Sequence, residues 1–187
     1  MSDEAGQVIE TELDPEAEAR RRLALAQIRQ YPDTALRLPA GEVEEFDDDL
    51  RRLVTRMVDL MHDASGAGLA ATQVGILRRL FVFQTDGEED ARAVVNPRIV
   101  ERSDEVETEA EGCLSLQGVH VPVERVTGLT LEGKDETGAD VRLELEGLGA
   151  RVAQHELDHL DGVLIIDRTD EASRKAALAT LRPRPSF

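Results

Sequence analysis

His155 and His159 stand four residues apart in Gln154-His155-Glu156-Leu157-Asp158-His159-Leu160-Asp161-Gly162, a stretch that reads as most of one helix ended by glycine. Residues four apart on a helix lie one above the other, about 6 Å along the axis and roughly 40° round it, so both imidazoles can reach a single ion. Glu156 lies beside them. In the H-E-x-x-H pattern two histidines hold a metal and the glutamate handles the proton of a bound water. A third protein ligand is then needed. Where the pattern continues as H-E-x-x-H-x-x-G, a histidine or aspartate three residues after the glycine would supply it, but that position is Ile165. A glutamate from a later helix could only be Glu171, close to the chain's end. Upstream, Glu111-Gly112-Cys113-Leu114-Ser115 offers a thiolate in a glycine-containing turn. One cysteine with two histidines is a catalytic ligand set that leaves one metal position open, so Cys113, His155 and His159 are the expected ligands.

These side chains need a scaffold, and the composition limits what it can be. The 187 residues are most economically one domain, large enough to bury a core. With no Trp and 3% aromatics, that core must be filled by Leu, Val, Ile and Ala. A formal net charge of -17 argues against broad attraction to nucleic acid or anionic membrane, and no specific DNA binding is expected. No apolar run is long enough to span a bilayer, and the acidic start, Met1 to Asp14, lacks the order of a signal peptide, so a cytoplasmic protein is expected. The single cysteine excludes an intrachain disulfide.

In chain order, the acidic arm lacks periodicity and reads as disordered. Asp14-Pro15-Glu16 then opens a short helix through about Arg29, with Arg20, Arg21 and Arg22 exposed. Leu50, Leu53, Val54, Met57, Leu60 and Met61 recur at helical spacing and predict a helix with one buried face; His62, at its end, is structural or exposed. Gly66 to Gly75 is a run of small residues without a phosphate-binding fingerprint, in which backbone can approach a ligand closely. Strands are predicted at 79–84 and 93–100, with a strand pair at 129–132 and 141–146 turning through 134–138. Val141, Leu143 and Leu145 alternate with Arg142, Glu144 and Glu146, as in a sheet with one wet face. A last helix runs from about Asp170 to Leu181. The fold class is α+β, not a doubly wound parallel sheet.

Three segments together carry a resemblance. Gly68-Leu69-Ala70-Ala71-Thr72-Gln73, Glu111-Gly112-Cys113-Leu114-Ser115 and Gln154-His155-Glu156-Leu157-Asp158-His159 resemble, in order and in separation, the three motifs of the peptide deformylase family. The flanking sequence from about Ile28 to Arg168 resembles it too. The resemblance implies one domain of antiparallel or mixed sheets around a central metal-binding helix. Residues 1–27 would be an acidic extension, and 28–187 the catalytic domain with its C-terminal helix. It implies hydrolysis of the formyl group from N-formyl-methionyl nascent peptides, releasing formate. A divalent ion on Cys113, His155 and His159 would lower the pKa of its water to roughly 7. Glu156 would serve as general base and acid, and hydroxide would attack the formyl carbon. The Gln73 amide and the Leu114 backbone N–H would join the metal in holding the developing oxyanion. Gly68 would hydrogen-bond the extended peptide, and the apolar neighbourhood of Leu148 would receive the methionine side chain.

The metal implied is Fe²⁺ in the cell; Zn²⁺, Co²⁺ or Ni²⁺ also suit a thiolate and two imidazoles. Gln117 stands where the family commonly has proline, and Ala67 where it has a branched residue; both bear on the substrate groove. Gln154 and Asp158 are open to either a ligand-orienting or a structural role, and His120 is not expected to be a ligand. Arg174, Lys175, Arg182 and Arg184 motivate a possible ribosome contact. Two rivals remain. A metallopeptidase would use the same water and glutamate on an internal amide, against which Ile165 counts. A non-catalytic peptide- or ribosome-binding descendant would usually have lost the glutamate or a ligand, and all are present.

Overall fold

Leu80-Phe81-Val82-Phe83 has no polar residue to turn toward water, which suits a strand covered on both faces. The computed structural model describes residues 14–85 and 87–182, and in it all four of these side chains are fully buried. The elements in chain order are helices α1 (Pro15–Leu25) and α2 (Asp48–Asp63), strands β1 (Gly68–Ala70), β2 (Leu80–Phe83), β3 (Arg92–Arg102), β4 (Val106–Gly112), β5 (His120–Val126), β6 (Gly128–Lys134) and β7 (Asp140–Glu146), and helices α3 (Gly147–Leu160) and α4 (Glu171–Leu181). Five strands form one sheet in the order β1-β2-β3-β6-β7, with every neighbouring pair antiparallel. β4 and β5 form a separate two-stranded hairpin. The fold is α+β in a single domain, as the sequence implies. Among the described residues no helix is long and apolar enough to cross a membrane.

Alternation along β2 decides which helix covers which face. Leu80 and Val82 join the cluster built on Leu50, Val54, Met57, Leu60 and Met61 of α2. Phe81 and Phe83, with ring centroids 5.7 Å apart, join the cluster with Val152, Ala153, Leu157 and Leu160 of α3. The sheet therefore lies between α2 and α3. α2 starts where Asp47 caps it, accepting the Leu50 N–H at 2.9 Å, with Asp48 and Asp49 favourably placed in the first turn. Beneath the hairpin lies a third cluster, including Val121, Val123, Leu164 and Ile166. Ile165, the position a protease-type third ligand would occupy, is buried in it.

α3 is longer than its motif suggests, since it begins at Gly147. Its first turn, Gly147-Leu148-Gly149, has poor helix propensity and no start signal. Its end is sharp. Gly162 has φ +72°, and the Val163 N–H reaches back to the Asp158 carbonyl at 2.8 Å. A Cβ at Gly162 would lie 2.6 Å from the Arg37 carbonyl oxygen, so both the turn and the packing require glycine.

Several expectations need correction. α1 ends at Leu25 rather than near Arg29, because the Arg29 N–H is drawn out of helical pairing to the Gln73 carbonyl at 2.7 Å. Arg21 is half-buried, not exposed like Arg20 and Arg22. The hairpin was not expected: β4 carries a nearly unbroken polar run, and Pro122 interrupts the alternation of Val121 and Val123 as a strand signal. His62 is exposed and bonds Gln84 at 2.7 Å. The acidic arm up to Leu13, together with Arg184, lies outside the described residues.

Candidate active site

The two histidines of α3 and the cysteine just past β4 come from separate layers of the molecule. The donor atoms of Cys113, His155 and His159 nevertheless lie within 4.8 Å of one another. Cys113 Sγ is 3.3 Å from His159 Nε2, and the two imidazole centroids are 5.0 Å apart.

A buried ionic clamp brings the hairpin to the helix. Glu111, one residue before the end of β4, accepts from His155 Nδ1 at 3.0 Å, leaving Nε2 as the nitrogen free to ligate. The same carboxylate accepts from Arg125 Nε at 2.9 Å and Nη2 at 3.0 Å, and from Arg151 Nη1 at 2.9 Å. Arg125, on β5, also reaches Asp158 at 2.6 Å, and Arg168 holds that aspartate from outside at 2.6 Å. Arg151 further donates to the carbonyls of Val123 at 3.0 Å and Glu107 at 2.9 Å. Helix and hairpin are thus locked together in a charged, buried interior. Burial alone would raise the Glu111 pKa, but the hydrogen bonds from His155 and Arg125 outweigh it and hold the carboxyl at about 2. Asp158 acts through Arg125. Gln154 bonds the Val126 backbone from both ends of its amide, at 3.2 and 3.0 Å, a structural anchor for α3.

The groups expected around the ligands are brought to one cavity, lined among others by Gly68, Gln73, Cys113, Leu114, Leu148 and Glu156. His155 also lines it, whereas His159 lies behind, 2% exposed. Gln73 Oε1 accepts the Ala70 N–H at 2.8 Å, which points Nε2 at Ser115 Oγ (3.1 Å) and toward Cys113 Sγ (3.8 Å). Leu114 is held by its carbonyl, which accepts from Gln30 Nε2 at 2.9 Å. Together with Arg29 N–H to Gln73 and Tyr31 N–H to Ser115 (2.9 Å), the segment 29–31 ties down both predicted oxyanion donors. Ala67, Gln117 and His120 also line the cavity. His120 packs over Gly112, where a Cβ would lie 2.8 Å from its Nε2, and is not among the metal-type donors. Leu148 is half-exposed at the start of α3.

Glu156 is 3% exposed, and its Oε2 has no hydrogen-bond partner among the described residues. Burial pushes its pKa up to about 7, with the charge of His155 opposing. Gly68 makes room for it: a Cβ there would sit 2.5 Å from Glu156 Oε1 and 2.9 Å from Val152 Cγ1. The donor set fits a metal ion. One cysteine sulfur and two imidazoles converge, burial together with the positive charge of Arg125 pushes the His159 pKa well below its ordinary value, and a buried carboxylate oxygen has no hydrogen-bond partner among the described residues.

Glu111 was within a recognised motif, but only as a neighbour of Cys113. Arg125, Arg151 and Gln30 carried no local signal, since each acts across a long stretch of chain.

Comparison with known proteins agrees with this geometry. The family model described as polypeptide deformylase matches residues 25–175. Peptide deformylase 1 of Corynebacterium glutamicum is 43% identical over 167 residues, spanning 88% of this chain and 99% of its own. The crystal structure of a peptide deformylase from Legionella pneumophila superposes with TM-score 0.79 at 37% identity, covering 82% of this chain and 91% of that one. A Synechococcus elongatus peptide deformylase in complex with actinonin gives 0.78 at 39% identity, covering 82% and 85%. The motifs, the fold and the converging donors therefore have one explanation: the chain belongs to the polypeptide deformylase family, a family of hydrolases.

Proposed function

We propose that the protein removes the formyl group from the N-terminal formyl-methionine of newly made polypeptides by hydrolysis, releasing formate and a free amine. The observation that carries this reading is the buried Glu156 carboxylate, whose Oε2 has no hydrogen-bond partner among the described residues, in a cavity that Cys113 and His155 also line, with His159 completing the donor set behind it. Cys113, His155 and His159 would hold a divalent ion, Fe²⁺ in the cell or Zn²⁺, Co²⁺ or Ni²⁺ in purified protein, which would supply Lewis acidity and make water more acidic, with a pKa of about 7. Every other step belongs to this chain's own groups. Glu156 takes the proton of the attacking water, for which a buried carboxylate oxygen with no other hydrogen-bond partner among the described residues is suited. As the formyl carbon becomes tetrahedral, its oxygen gains charge that the Gln73 Nε2 and Leu114 N–H groups stabilise. Glu156 then returns the proton to the departing amine. The Gly68 backbone holds the extended peptide, and Leu148, with Val152, receives the methionine side chain.

On this reading residues 28–187 form the catalytic body, residues 1–27 are an extension to it, and the protein works in the cytoplasm. A transient ribosome contact through Arg174, Lys175, Arg182 and Arg184 is proposed with it, although Arg174 already sits 3.5 Å from Asp167. Ribosome binding unchanged after neutralising these four would remove that part. The test of the reaction is formate release from a formyl-Met peptide by anaerobically prepared, iron-loaded protein beside a Glu156→Ala variant. Release that disappears in the variant while metal content persists is expected. No release from protein with full metal occupancy would sink the assignment.

A further inference from the structure

Helix α1 closes one side of the cavity mouth, a part of the chain that none of the three motifs reaches. Leu25 and, one turn earlier, Arg21 line the cavity together with Gln117. The same three residues line a second hollow that runs on along α1 beside Glu18 and Arg22. The two hollows thus adjoin at these three side chains, one opening on the reacting centre and the other on the outer face of α1. They offer a path along α1 to a polypeptide whose formyl end is at the reacting centre.

The packing of α1 sets where Arg21 projects. Leu25 is 7% exposed and packs with Ala24 and Ile28 into the α2 cluster, which fixes the rotation of α1 and hence the side chain four residues earlier. Deeper in the cavity, the guanidinium of Arg151 is already committed to the carboxylates of Glu111 and Glu109, each at 2.9 Å. Arg21, by contrast, is half-buried and makes no ion pair among the described residues. A chain of net charge -17 repels acidic peptide over most of its surface, so a cation with no ion-pair partner among the described residues at the cavity mouth marks where such a peptide is tolerated.

We propose that Arg21 forms an outer substrate subsite that takes an acidic side chain of the polypeptide downstream of its first two residues, giving the enzyme a preference for Asp or Glu there over neutral residues. This rests on the deformylase reading. The contact is a solvent-accessible charge pair that adds binding, so it acts on kcat/KM and weakens with salt.

The test compares formyl-Met peptides carrying a single Glu, Gln or Lys at positions three to six, each made both C-terminally amidated and with a free C-terminus, assayed with the full-length metal-loaded protein at low and high salt. Within each enzyme the readout is the ratio of kcat/KM between peptides, so a general loss of activity cancels. Wild type is expected to favour Glu over Gln about two- to five-fold at one position, the range of an exposed ion pair. Arg21→Gln should bring that ratio to about one, and Arg21→Glu should turn it toward Lys, an inversion that misfolding cannot produce. A flat ratio at every position in wild type, or a Glu preference that survives charge reversal, would overturn the proposal. So would a gain confined to peptides with a free C-terminus, which would assign Arg21 to the chain end. Failure of wild type to deformylate any peptide in the series would instead bring down the proposed reaction itself.

Discussion

Helices α2 and α3 cover opposite faces of the same strand and are built on different principles. Five of the sixteen residues of α2 are buried, all apolar, whereas eleven of the fourteen residues of α3 are buried, five of them polar or charged. α2 turns one stripe inward and leaves its charges to pair along its own surface, as Arg51 does with Asp48. α3 takes its charges inside and pairs Arg151 and Asp158 with other elements, while a Glu156 oxygen is left without a partner among the described residues. The difference teaches where stability and chemistry reside. α2 contributes packing that another apolar set of equal volume could replace, while α3 holds groups whose partners are fixed one by one.

The sharpest way to break that comparison is to remove one central side chain from each helix. Glu156→Ala should lower formate release on the order of 10²- to 10⁴-fold, the contribution of a positioned acid–base group. Its unfolding free energy should fall by no more than about 1 kcal/mol, because the lost packing is offset by relief of a buried carboxylate. Met57→Ala, fully buried in α2, should do the reverse, costing about 2–5 kcal/mol in denaturant unfolding with the folded fraction still active. A large stability loss in the first variant, or a collapse of kcat in the second at low temperature, would refute the division.

Gln73→Ala comes next. The side chain belongs to neither helix but faces the site from the turn after β1, and losing one oxyanion donor should lower kcat by roughly 10²–10³-fold. KM for a formyl-Met peptide should move far less, since the interaction grows as charge develops. A pure KM effect would show that Gln73 holds the substrate without stabilising the reacting oxygen.

Arg125→Met tests whether α3 depends on its clamp. Glu111 and Asp158 would each keep one other arginine partner, Arg151 and Arg168, so the loss should fall near the lower end of the 3–5 kcal/mol expected for breaking a buried pair, about 3 kcal/mol. Metal affinity should also drop, by about 10–100-fold, because His155 is oriented through Glu111. Loss of stability with unchanged metal affinity would make the clamp purely structural.

The same contrast explains what was legible in the sequence. α2 was readable because its burial repeats with the helical period, and β7 because it alternates Val141, Leu143 and Leu145 with charged residues. The ligands were readable because His155, Glu156 and His159 fall within a single turn and Cys113 within one loop. The first turn of α3 was not, since glycines hide its start and burial all round leaves no stripe to detect. The clamp was not either: Glu111 meets Arg125 from 14 residues away and Arg151 from 40, and no local pattern encodes that pairing. Arg21 read as one of three exposed arginines, and only the packing of Leu25 shows that it alone of the three is half-buried at the cavity mouth.

The smallest effect sharpens the comparison most finely. Arg51 and Asp48 of α2 lie 2.5 Å apart, closer than Arg125 and Asp158 at 2.6 Å, so distance alone would rank the surface pair higher. Exposure reverses the ranking. Asp48 is 79% exposed, and water already solvates both ions, whereas the Arg125 side chain is 5% exposed and has no water to fall back on. A double-mutant cycle on Arg51 and Asp48 should therefore return a coupling of about 0.3–0.5 kcal/mol that fades as salt is raised. The corresponding cycle on Arg125 and Asp158 should return a larger coupling that salt barely changes. Equal couplings, or equal salt dependence, would mean that charge on α3 is no more committed than charge on α2, and that the site is held by packing alone.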